Sequence, residues 1–122
     1  MIAAGIGCRA GCTADDIVAA VRAAERTTQR SATLLAAPAF KAREPALPEA
    51  AALLGLPLTF IDDADMQAVQ PLCVTRSARA EASTGFASVA EAAAIAASAG
   101  MLCAPRLTAG AATCALAEAP AR

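Results

Sequence analysis

The chain has 122 residues with 10 basic and 11 acidic side chains, a net charge of -1, and no histidine, tryptophan or tyrosine. Without His, serine- or cysteine-histidine catalysis, imidazole proton shuttles and His-ligated metals are excluded, and the near-neutral, aromatic-poor composition lacks the basic excess and stacking platforms of a nucleic-acid binder. Although 57% of residues are hydrophobic, nearly a third of the chain is alanine, so Leu, Ile, Val, Met and three Phe must form the core of what the length predicts to be a single domain over residues 1–122, close to the modal domain size of roughly 100–150 residues.

Ile2–Cys8 is apolar and small enough for a buried first strand. A glycine-punctuated turn follows, and Thr13 with Asp16 three residues on reads as an N-cap pair. Ala14 to Gln29 then has helical periodicity, with Ile17, Val18, Val21 and Ala24 on one face and Arg22, Arg26 and Arg30 on a solvated one. Ala32–Ala37 is a second strand ended by Pro38. Lys41 to Pro45 is a loop into a short helix, Leu47 to Leu54, stopped by Gly55. Pro57–Ile61 is a third strand, and Asp62, Asp63 and Asp65 suit the positive end of a following helix. Leu72–Thr75 reads as a brief strand and Arg76 to Gly85 as a polar loop. Ser88 to Glu91 has the spacing of a capping box opening an Ala-rich helix that Gly100 closes. Met101–Ala104 and Ala111–Ala117 are two final strands around Gly110. This alternation predicts an α/β fold: a single three-layer α/β/α sandwich with a mixed, mostly parallel sheet of about five strands.

The N-terminus has no basic region before its apolar stretch, and no run approaches the roughly 18–20 apolar residues of a membrane span. The five cysteines are odd in number and form no CxxC pair. Cys8 and Cys12 have no second pair or His to complete a zinc set, so no metal site is expected. Reduced thiols in a cytoplasmic protein are the reading, with Cys73, Cys103 and Cys114 as small core residues.

Three constellations have chemical potential. The turn with Gly5, Gly7, Cys8, Arg9, Gly11 and Thr13 either presents backbone N–H groups to an anion or lets a helix pack closely. It is not the dinucleotide fingerprint, because its third glycine comes one residue late. Lys41, the only Lys among ten cations, and Glu44 follow the second strand and would lie beside that turn if the first two strands are parallel neighbours. The segment with Arg76, Ser77, Arg79, Thr84, Gly85 and Ser88 offers hydroxyls and guanidiniums that suit carboxylate or phosphate, or is a solvated loop. No nucleophile is paired with a recognisable base.

Gly5-Ile-Gly-Cys-Arg-Ala-Gly-Cys-Thr13, Lys41 with Glu44, Leu53-Leu-Gly-Leu-Pro-Leu58, Thr75-Arg-Ser-Ala78 and Thr84-Gly-Phe-Ala-Ser-Val-Ala-Glu-Ala-Ala-Ala94 resemble the CobE proteins of cobalamin biosynthesis and the C-terminal domain of the related CbiG proteins. Ala104-Pro-Arg-Leu107 and Ala112-Thr-Cys-Ala-Leu-Ala117 complete a resemblance spanning the chain. It implies a role in building the corrin ring of vitamin B12, and lies with the stand-alone CobE type rather than with CbiG, which has additional N-terminal sequence. The expected role is to bind a corrin or precorrin intermediate of the aerobic pathway without a cofactor, and to hand it to other pathway enzymes. Arg9, Lys41, Arg76 and Arg79, with helix starts at Thr13 and Ser88, would hold the ligand's carboxylates, and an aliphatic floor of Ala, Gly and Leu its flat ring. The alternative is a hydrolase that opens a precorrin lactone with release of acetaldehyde, as in CbiG, with Glu44 or Glu91 directing water and Lys41 stabilising the oxyanion. A phosphate- or nucleotide-binding domain is a third reading, which the extra turn residue disfavours.

Overall fold

Side chains of a strand point alternately to opposite faces, and β1 (Ile2–Cys8) uses both. Ile2, Ala4 and Ile6 enter one core, while Ala3, Gly5 and Gly7 face the other way. The computed structural model describes residues 1–120 of the protein. In chain order the elements are β1, α1 (Ala14–Thr28), β2 (Leu34–Pro38), α2 (Ala46–Leu54), β3 (Leu58–Ile61), α3 (Asp63–Ala68), α4 (Ala78–Thr84), α5 (Ala90–Ser98), β4 (Met101–Ala109) and β5 (Ala112–Glu118). Short 3-10 turns occupy Ala39–Lys41 and Gln70–Leu72.

The five strands lie in the order β3-β2-β1-β5-β4. β1, β2 and β3 are parallel, and β5 runs antiparallel to both β1 and β4. Four strands therefore point one way, and the sheet is mixed and mostly parallel, as expected. The register Ala4↔Leu35 and Ala4↔Leu116 aligns the residues of one face. On that face Ile17, Val21, Leu35, Leu47 and Leu116 are fully buried beneath α1 and α2; full burial of such side chains contributes about 1.5–3 kcal/mol each.

The opposite face is covered by α5, with α3 beside it. Ala90 through Ile95 are all buried, so α5 is enclosed on every side and is mostly alanine, with one charged residue, Glu91, held inside. Its alanines let it approach the sheet closely. A side chain at Gly5 would overlap the Ala90 carbonyl and the Ala94 nitrogen. Gly5 thus serves close packing, and the helix concerned is α5 rather than the neighbouring α1.

Several elements differ from the sequence expectation. Leu72–Thr75 forms no strand: the Val74 and Thr75 amides donate to the Glu91 carboxylate instead of to a neighbouring strand. The polar loop after it contains α4, capped by the Ser77 hydroxyl and ended by Gly85 in the left-handed region at φ 84. β4 continues through Pro105 to Ala109, with irregular register between Ala104 and Leu107. Proline is tolerated there because β4 is an edge strand. The Ser88 box also fails to form: the residue preceding α5 is Val89, and no side chain caps the helix. On the surface, Arg22 pairs with Glu25 and Arg30 with Glu118. None of the helices is long and apolar enough to cross a membrane, among the described residues.

Candidate functional site

The chain steps outward from β1 through β2 to β3, then crosses to β4 on the far edge, so the sheet order reverses at β1. In open α/β sheets ligands bind at the carboxyl end of the strand where that reversal occurs. A cleft of about 620 Å³ opens there, within the roughly 300–1,000 Å³ typical of ligand pockets.

Four parts of the chain build it. Gly7, Cys8, Arg9 and Ala10 come from the end of β1, and Phe40 and Lys41 from the turn after β2. α4 contributes Ser77, Arg79, Ala80, Ser83 and Thr84. Val89 and Ala90 open α5 at its base, and Arg106 of β4 and Thr113 of β5 close the far wall. Arg9, Lys41, Arg79 and Arg106 are thus four cations around one cleft, and among the described residues no carboxylate lines it. Gly7, Ala10, Ala80 and Ala90 are small residues of its lining, beside Val89 and Phe40. Phe40, 42% exposed, stacks on Phe86 with centroids 6.1 Å apart and rings inclined by 7°. One aromatic ring, Phe40, thus joins the small Gly and Ala residues of the lining, and no Leu lines the cleft among the described residues.

Of the anticipated ligand residues, Gly7, Cys8, Arg9, Lys41, Ser77 and Thr84 meet in this cleft, and Arg79 joins them. Thr13 and Glu44 do not. They line a second hollow of about 360 Å³ with Asp15 and Glu49, whose three carboxylates make it unfit for an anion. Gly5 is buried under α5, and Gly11 takes the left-handed conformation (φ 81) in the turn closed by the Cys12 amide donating to the Arg9 carbonyl. Arg76 is exposed and lines neither hollow, Gly85 ends α4, and Ser88 is only 2% exposed.

Glu91 is also outside the cleft. It is fully buried, and its Oε1 accepts from the Val74 and Thr75 amides, both at 2.9 Å. Oε2 accepts from the Arg106 amide at 2.9 Å, and the Ser88 hydroxyl donates more weakly to Oε1 at 3.5 Å. Burial alone would raise its pKa, but the amides of Thr75, Arg106 and Val74 outweigh it and hold the carboxyl below the ordinary 4.5.

Ser83, a hydroxyl of the same polar segment as Ser77 and Thr84, also lines the cleft, and Ala10, Phe40, Ala80, Val89, Ala90, Arg106 and Thr113 line it without having been named as ligand residues. Arg106 stands in the Ala104-Pro-Arg-Leu107 motif but beyond the expected end of its strand at Ala104, whereas β4 runs on to Ala109. Burial, then the adjacent Cys12, push the pKa of the Cys8 thiol up, with Glu44 adding to the rise and Lys41 opposing it. A thiolate nucleophile is therefore disfavoured there. No group of three or more His, Cys, Asp or Glu is placed to hold a metal ion among the described residues.

A model of the family described as cobalamin synthesis G C-terminus matches residues 2–117. No curated protein matches the chain, but solved structures do. CobE, described as a protein from the cobalamin (vitamin B12) biosynthetic pathway, superposes with a TM-score of 0.91 at 34% identity, over 100% of this chain and 92% of that one. The cobalamin biosynthesis protein chiG from Agrobacterium tumefaciens superposes with a TM-score of 0.80 at 40% identity, over 99% of this chain and 100% of that one. Matched along nearly its whole length, the chain belongs to the cobalamin synthesis G C-terminal family, the CobE and CbiG C-terminal type of cobalamin-biosynthesis protein.

Proposed function

We propose that this protein binds a corrin or precorrin intermediate of cobalamin biosynthesis in the cleft at the end of β1. The observation that carries the reading is the charge distribution: Arg9, Lys41, Arg79 and Arg106 line one cleft in which no described residue places a carboxylate, in a chain whose net charge is -1. Such a concentration of cations suits a ligand with several carboxylates on its rim. Gly7, Ala10, Ala80 and Ala90 offer flat, low-relief surface to a macrocycle, and the Phe40 ring a stacking edge. Binding followed by release to another pathway enzyme, in a cytoplasm that keeps the five free thiols reduced, completes the reading.

Binding is favoured over lactone hydrolysis by the places of the three candidate catalytic groups. Glu91 has both carboxylate oxygens engaged by backbone amides, Glu44 lines the other hollow, and Lys41 alone reaches the cleft.

Absorbance titration with hydrogenobyrinic acid and with precorrins tests the proposal. A saturable spectral shift is expected, and Lys41→Ala and Arg9→Ala should each weaken it about tenfold, the loss of one charge-assisted contact, with unchanged circular dichroism. No shift with any tetrapyrrole sinks the binding reading. Release of acetaldehyde from a lactone-bearing precorrin would put hydrolysis in its place.

A further inference from the structure

Arg106 lines the cleft from an edge strand whose register with β5 is irregular between Ala104 and Leu107. α4, which supplies the opposite wall, buries none of its residues. The base of α4 is tied by the Ser77 amide, which donates to the Ala87 carbonyl at 2.8 Å, and the backbone just ahead of it and that of Arg106 share a further tether. Both connect to one side chain. Glu91 receives the Arg106 amide on Oε2, and on Oε1 the amides of Val74 and Thr75, just ahead of the Ser77 cap of α4.

We propose that Glu91 is a positioning residue for the cleft, a buried clamp that fixes Arg106 and the base of α4 in the geometry from which they meet an anionic ligand. The proposal rests on the binding reading above for its consequence, though not for the clamp itself. A carboxylate is the group suited to this position, since it offers two acceptor oxygens and no donor. Glutamine would turn an amide donor toward one set of backbone N–H groups and so break one arm of the clamp. The charge also makes each contact stronger than a neutral hydrogen bond.

The clamp itself is read by amide hydrogen exchange. Val74 is an exposed residue outside any helix or strand, and its amide donates to Glu91. In the wild-type protein the amides of Val74, Thr75 and Arg106 should exchange at least about a hundredfold more slowly than unstructured amides. In Glu91→Gln at least one arm should lose that protection while the β1 amides keep theirs. Fast exchange of these amides in the wild type, or full protection in the variant, overturns the clamp. Glu91→Asp, one methylene shorter with its charge kept, serves if the glutamine variant does not fold, and should likewise lose one arm.

Its bearing on the cleft is read by hydrogenobyrinic acid titration of wild type, Glu91→Gln, Arg106→Ala and the double variant. Each single substitution should weaken binding about tenfold. In the double variant the Glu91 substitution should add at most about threefold, because Arg106 has already been removed. Fully additive losses would show that Glu91 acts through general stability and overturn its positioning role. A wild type that binds no tetrapyrrole removes the binding reading and with it that role, while exchange still decides the clamp.

Discussion

Two stretches carry the same signature, a hydroxyl residue with an acid three positions on, and they have opposite fates. At the start of α1, the Asp16 amide donates to the Thr13 hydroxyl at 3.1 Å and the Thr13 amide donates to the Asp16 carboxylate at 3.2 Å, a complete capping box. Before α5, Ser88 and Glu91 form none. The Ser88 amide donates instead to Gln70 Oε1 at 3.2 Å, which removes the reciprocal half. Glu91 accepts amides from two distant segments. The cause is burial. Thr13 is exposed, and its nearest partners are its own helix. Ser88 and Glu91 are inside, where a charge must gather strong donors and those of the surrounding backbone compete with the local ones. A capping signature names the local option, and tertiary structure decides whether it is taken.

The largest effect should come from disturbing the buried acid. Glu91 is held below the ordinary 4.5, so its folded pKa is lower than its unfolded one. Its contribution is therefore complete above the unfolded value and is lost as pH falls through the folded value. Glu91→Gln should cost about 1.5–3 kcal/mol at neutral pH, the usual loss for one hydrogen bond to a charged group. The gap in melting temperature between wild type and variant should then narrow on acidification below the folded value, as the wild-type carboxylate is neutralised. A gap constant across that range would show that the negative charge is not what holds the segments.

The same contrast explains what could be read in advance. The strand order cannot be seen in a chain, but the alternation of strands and helices, and the glycine turn between β1 and α1, could, because they depend on nearest neighbours. The half of the cleft made by Gly7, Cys8, Arg9 and Lys41 followed from that alternation. α4 was hidden because its sequence, Ala-Arg-Ala-Glu-Ala-Ser-Thr, has no apolar stripe and the helix buries nothing. Arg106 was hidden because its place depends on an irregular edge strand and on a carboxylate fifteen positions earlier. Thr13 and Glu44 belong to loops that border the cleft but turn to the α1–α2 side, where the acidic hollow lies. Periodicity supplies the loops, and only packing selects their face.

A smaller effect should follow from giving the cleft a box like that of α1. Ser77 already caps α4 by accepting from the Ala80 amide at 3.1 Å, so Ala80→Glu supplies the missing acid at the third helical position. Local stability should hold or rise by a few tenths of a kcal/mol, as for other helix-end charges. The new carboxylate would also face a cleft lined by Arg9, Lys41, Arg79 and Arg106, and tetrapyrrole affinity should fall about tenfold, roughly 1.4 kcal/mol. Thermal melting and absorbance titration would report opposite signs from one substitution. Binding that is unchanged or tighter would remove cationic lining as the basis of recognition.

Thr13→Ala completes the contrast from the other end. It removes the hydroxyl that accepts from the Asp16 amide, and loss of such a cap costs about 0.5–2 kcal/mol, commonly near 1. The site is exposed, so water can satisfy the freed amide, which keeps the expected cost toward the lower part of that range. Thr13 lines the acidic hollow rather than the basic cleft, and nothing couples it to Arg106 or α4. Melting temperature should therefore drop while the dissociation constant for hydrogenobyrinic acid stays within about twofold. A large loss of affinity would mean that the ligand reaches the start of α1 after all. Both helix starts would then belong to one site, and the acidic side chains of the second hollow would have to be neutralised by the ligand's surroundings or by protonation.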